Sequence, residues 1–91
     1  MSRKSNSSLR KLKDAIKGTE YEDIRIEKVG PGLFELWRGP ATGYCYYVCL
    51  VGYRFDKWGA THNMEPDKES AKFDSPVSAI RNYVSYAALS R

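Results

Sequence analysis

Residues 22–55, EDIRIEKVGPGLFELWRGPATGYCYYVCLVGYRF, decide the fold. Ile24, Ile26 and Lys28 alternate with Arg25, Glu27 and Val29, the period-two pattern of a half-buried strand over about 22–29. Gly30-Pro31-Gly32 is a strong turn signal. A second strand follows over Leu33–Arg38, with Phe34 and Leu36 on one face and Leu33, Glu35 and Trp37 on the other. Gly39-Pro40-Ala41-Thr42-Gly43 turns the chain again. Tyr44 to Phe55 is then the longest strand and is apolar on both faces. That calls for a central position, or for a tyrosine-rich face left open as a binding surface. Gly52 within it suggests a bulge or a bend.

Downstream, Asp56-Lys57-Trp58-Gly59 reads as a turn, Ala60–Pro66 as a short edge strand, Asp67-Lys68-Glu69 as a solvated loop, and Ser70–Phe73 as a brief last pairing. Asp74-Ser75-Pro76 opens a helix over 76–89, with a capping side chain ahead of proline at the first turn. Its buried stripe is expected at Val77, Ile80, Val84 and Ala87. Upstream, residues 1–7 read as a disordered, serine-rich lead, and 8–91 as one domain. Ser7 or Ser8 can cap a helix over 8–17 that docks through Leu9, Leu12 and Ile16 and stops at Gly18. The fold class is α+β: a three- or four-stranded antiparallel sheet with an N-terminal and a C-terminal helix packed on one face, in the order α-β-β-β-(β)-α.

With 91 residues the chain has room for one core. Its 42% apolar and 29% charged residues fit a globular domain. The formal charge of +4 is unevenly placed. Arg3, Lys4, Arg10, Lys11, Lys13 and Lys17 stand against Asp14 alone in residues 1–18, while the rest is close to neutral. Such a segment either meets an anionic surface or is a solubilising helix whose lysines face water. No apolar core of a secretory signal follows Met1–Ser8, and no apolar run approaches the ~20 residues of a membrane helix. Cys45 and Cys49 lie four positions apart, about 13 Å along a flat strand, too far for a disulfide. They are expected on one face as inert, free thiols, in a reducing cytoplasmic setting.

An enzyme is not expected. Buried strand cysteines make poor nucleophiles beside the single histidine, His62, and one histidine with two cysteines does not make a zinc site. The glycines sit in hairpin turns rather than ahead of a helix, so no phosphate loop or cofactor site is indicated. The aromatic set says more. Antiparallel pairing places Trp37, Arg38, Tyr44 and Tyr46 around one hairpin end. Aromatic rings beside Arg suit stacked bases and phosphates, and equally a protein hot spot, while tyrosines also serve as core residues with the hydroxyl at the rim. The candidate partner-binding residues are therefore Arg10, Lys11, Lys13, Lys17, Trp37, Arg38, Tyr44, Tyr46 and Arg54. The expected partner is nucleic acid or a nucleoprotein complex; the alternative is a host protein complex.

The stretch Lys72–Tyr83, KFDSPVSAIRNY, resembles the strand-to-helix corner of AP2-type and integrase arm-type DNA-binding domains. In those, a phenylalanine ends the last strand and a capped helix with a buried alanine packs behind a three-stranded sheet. The resemblance implies DNA contact through the sheet, loosely matched here by Trp37, Arg38 and Arg54. The element order is also similar to double-stranded-RNA-binding domains, but Asp74, Ser75 and Pro76 stand where those carry a lysine cluster, which excludes that identity. In type, the chain resembles small phage and mobile-element proteins, among them anti-CRISPR proteins that occupy a surface on a host complex.

Overall fold

The computed structural model describes residues 3–39 and 43–89. Met1 and Ser2 of the lead, and Pro40–Thr42 of the second turn, lie outside them. The elements are α1 (Arg3–Ile16), β1 (Arg25–Gly30), β2 (Leu33–Arg38), β3 (Tyr46–Arg54), β4 (Lys57–Thr61) and α2 (Pro76–Leu89). The four strands form one antiparallel sheet in sequence order, β1-β2-β3-β4. The expected α+β architecture is therefore observed, with the fourth strand present.

The sheet's inner face is written in its alternation. Phe34 and Leu36 on β2 pair with Val51 and Cys49 on β3, and all four are fully buried. Leu12 and Ile16 of α1 and Val77, Ala79 and Ile80 of α2 close over them. Burial of each Leu, Ile, Val or Phe side chain here is worth about 1.5–3 kcal/mol. The α1 stripe is thus the expected one, with Leu9 half-buried beside it. The helix stops where Gly18 takes φ +76°, and both the amide and the hydroxyl of Thr19 donate to the Ile16 carbonyl. Ser75 Oγ accepts from the Val77 amide and opens α2 as the sequence indicates.

Several boundaries differ from expectation. α1 begins at Arg3 rather than residue 8, so Ser8 is a buried helical residue and not the cap. β1 starts at Arg25 because residues 19–24 coil in consecutive turns, Glu22 N donating to the Thr19 carbonyl and Ile24 N to that of Tyr21. This coil buries Tyr21 and Ile24. β3 is shorter than 44–55, and its bulge lies at Val48, where Leu36 pairs with Cys49 but Trp37 pairs with Tyr47. The bulge breaks the alternation between the two cysteines. Cys49 is in the core and Cys45, half-buried, takes a hydrogen bond from Arg25 Nη1 at 3.7 Å; both are free. Burial pushes the Cys49 thiol up to about 12. The segment Lys57–Thr61, expected as a turn and the start of a later strand, is β4 itself, because only Phe55 and Asp56 form the turn. The Ser70–Phe73 pairing reduces to a lone bridge between Phe73 and Trp58. In α2, Val84 is 39% exposed rather than buried, because the C-terminal half of the helix borders an open cleft instead of the sheet.

Gly52 is neither bulge nor bend. It pairs with Gly59 across β3 and β4, and the two bare backbones make a seat for Pro66, which is fully buried. A Cβ on Gly52 would lie 2.7 Å from Pro66 Cδ, and one on Gly59 would lie 2.8 Å from the Ser70 carbonyl oxygen. The Asp67 carboxylate accepts from the Glu69 and Ser70 amides and holds the loop that delivers the proline. Gly59→Ala, which clashes with backbone, is expected to lower stability by about 1–3 kcal/mol. Ile80→Ala, a cavity at a fully buried site, is expected to cost about 2–5 kcal/mol. Chemical denaturation of each variant measures both; an unchanged midpoint for either would refute that packing.

Candidate binding surfaces

Two surfaces emerge, and no residue belongs to both. The first is the outer face of α1. Because Leu12 and Ile16 point inward, Arg10, Lys11, Lys13 and Lys17 are left exposed. Lys17 lies 3.7 Å from Asp14, an exposed pair of little energetic weight. Lys11 Nζ sits 5.2 Å from the Tyr53 ring centroid. No carboxylate among the described residues pairs with Arg10 or Lys13.

The second surface is an open cleft of about 610 Å³ at the β2–β3 hairpin end. Tyr46 and Tyr47 of β3, Tyr83 and Val84 of α2, and Tyr21 and Arg38 help to wall it. The bulge at Val48 turns Tyr47 so that its ring meets Trp37 edge-on, 5.3 Å between centroids, and its hydroxyl donates to the His62 carbonyl. Burial, ahead of the nearby Cys49, Glu35 and Tyr83, pushes the Tyr47 phenol up to about 12, so it remains a donor. His62 Nδ1 in turn lies 3.2 Å from the Tyr83 hydroxyl, tying the end of β4 to α2.

Pairing brings Trp37, Arg38, Tyr44 and Tyr46 to one end of the sheet, as the sequence implied, with Arg38 opposite Tyr46. Their chemistry is divided. Arg38 spans the Tyr21 ring at 5.6 Å, donates to the Glu20 carbonyl and lies 3.8 Å from Asp23. Its Nε is buried with no acceptor. Trp37 is half-buried, and its Nε1 donates to Glu35. Tyr44 is 82% and Tyr46 49% exposed. Arg54 is at the opposite end of the sheet, where it donates to Glu65 and to the Pro31 and Tyr53 carbonyls. Sequence reasoning did not find Glu20, Tyr83 or His62 at this cleft; their partners lie 18 to 61 positions away in the chain, and no local pattern signals them.

Glu20 is the keystone of the cleft wall. Arg81 of α2 grips it with two hydrogen bonds, at 2.8 and 3.0 Å. Those bonds, followed by a backbone amide and the charges of Arg81 and Arg38, bring its carboxyl from the ordinary 4.5 down to about 2. The acidic coil after α1 thereby neutralises both arginines. No group of three His, Cys, Asp or Glu side chains able to hold a metal stands among the described residues. No described helix is long and apolar enough to cross a membrane. No protein-family model, curated protein or solved structure matches the chain.

The depressed carboxyl has a pH consequence. Glu20 binds its proton less readily folded than unfolded, so its contribution to stability is complete above about pH 4.5 and is lost as pH falls toward 2. Glu20→Gln is therefore expected to flatten the acid limb of a melting-temperature profile across that window. An acid limb identical to that of the wild type would show that the pair does not form.

Proposed function

We propose that this protein is a non-enzymatic binding module that engages nucleic acid, alone or within a nucleoprotein complex, through the exposed face of α1. One observation carries the reading: Arg10, Lys11 and Lys13 are exposed on a helix whose other side is locked into the core, and exposed Lys17 follows directly at its end. A cationic strip on a rigid support is a phosphate-binding device, since each phosphate neutralised releases condensed counterions. The hairpin end contributes aromatic surface through Tyr44 and Tyr46 rather than charge, because Glu20 and Asp23 occupy Arg38. A cytoplasmic setting accords with the free cysteines, and it and a phage or mobile-element origin belong to the same proposal.

A second reading has its own observation. The cleft is rimmed by exposed Tyr46 and Val84, with Tyr44 and Tyr86 also open to solvent. Clustered tyrosines about a concave, nearly charge-neutral site suit a protein partner. Such a module would inhibit a host complex, such as a defence nucleoprotein, by covering one of its surfaces.

A salt series separates the two. If α1 holds phosphates, log affinity for duplex DNA should fall linearly with log salt, by a slope of about −0.9 per phosphate contacted. Lys11→Ala with Lys13→Ala should flatten that slope by up to roughly two units while leaving the melting temperature almost unchanged, since both side chains are exposed. A wild-type slope in the double variant, or no binding near physiological salt, removes the nucleic-acid reading. Tyr46→Ala then becomes the variant to test in pull-downs from nuclease-treated lysate.

A further inference from the structure

The turn between β3 and β4 is built from the wrong residues for its shape. Phe55 and Asp56 are its two central positions, at φ +55° and +61°. Positive φ at both positions is the type I′ hairpin geometry, which selects Asn-Gly or Asp-Gly. Phenylalanine is disfavoured there, because its Cβ crowds the backbone in the left-handed region. Burial does not offset the strain, since Phe55 is 61% exposed. The ring is thus held out at the hairpin tip, at a cost that an asparagine would avoid. Strained backbone of this kind clusters at functional sites, which makes the exposed ring a candidate contact.

The base of the tip is braced. Arg54 is bonded to Glu65, and Lys57 to Asp74 of the segment before α2. One strand residue inward, Tyr53 packs against Trp58 and lies under Lys11. Lys11 of α1 therefore lies close to the base of the Phe55 tip. Lys72, over the Phe73 ring beside Trp58, adds a further exposed cation.

We infer that Phe55 is a stacking wedge that meets an unstacked nucleobase while Lys11 and its neighbours on α1 hold the flanking phosphates. This rests on the nucleic-acid reading above and narrows its ligand to a strand with accessible bases, single-stranded or locally opened. An aromatic ring offers a sequence-tolerant platform to any base, and a rigid one loses little entropy on contact.

The test compares Phe55→Asn and Phe55→Tyr with the wild type, using a short fluorescein-labelled oligothymidylate, the matching duplex, and phosphatidylserine-containing vesicles. Phe55→Asn should bind the single strand about five- to a hundredfold more weakly, with the salt slope unchanged, while melting at or above the wild-type temperature. Phe55→Tyr should retain affinity. Wild-type affinity in Phe55→Asn overturns the wedge and leaves the α1 reading standing. A lower melting temperature in Phe55→Asn also overturns it, by making the ring structural. A loss confined to the vesicles assigns the tip to lipid and refutes it. Absence of wild-type binding to either oligonucleotide removes the α1 reading and the wedge together.

Discussion

The pairing of β2 with β3 holds the rest of the molecule in place. Phe34 against Val51 and Leu36 against Cys49 make a dry seam at the middle of the sheet, and both helices are defined by how they cover it. The seam fixes the register, because a one-residue slip would turn all four side chains to the other face. With that register set, Leu12 and Ile16 face inward, and the cationic side chains of α1 have nowhere to go but solvent. The polarity of the candidate surface is thus a consequence of core packing.

The opposite face of the sheet is closed more economically. Two glycines placed across from one another remove the side chains that would hold the 62–72 loop away, and one proline fills the space. The same loop delivers Glu65 to Arg54, which braces the β3–β4 hairpin from which Phe55 projects. A covering device on one face therefore braces the hairpin tip at the edge of the other.

Charge is distributed by the same economy. The acidic coil 19–24 engages Arg38 and grips Arg81 at the cleft, while the α1 cations keep their outward face. The result is an aromatic, nearly neutral cleft, a cationic helix face, and an exposed phenylalanine at the β3–β4 turn near Lys11. The two surfaces differ in chemistry and can be mutated independently, because no residue belongs to both.

The sequence by itself determined the elements whose signals are local and periodic. The alternation at Leu33–Arg38, the Leu9/Leu12/Ile16 stripe and the Asp74-Ser75-Pro76 opening each depend on neighbours within a few residues, and each is found as read. The cationic side of α1 was legible for the same reason. Only the tertiary structure decided the rest. Gly52 looked like a bulge or a bend because its partner Gly59 stands in a strand the sequence did not signal and its occupant Pro66 comes from the loop beyond that strand. β4 was hidden because its turn uses Phe55 and Asp56, residues that mark no type I′ turn until positive φ is seen. The bulge at Val48 follows from β2–β3 register, which separated Cys45 from Cys49 and turned Tyr47 toward Trp37. The cleft, with Glu20 and Arg81 joined across 61 positions, exists only once both helices have docked, because its walls are long-range contacts that no local pattern encodes.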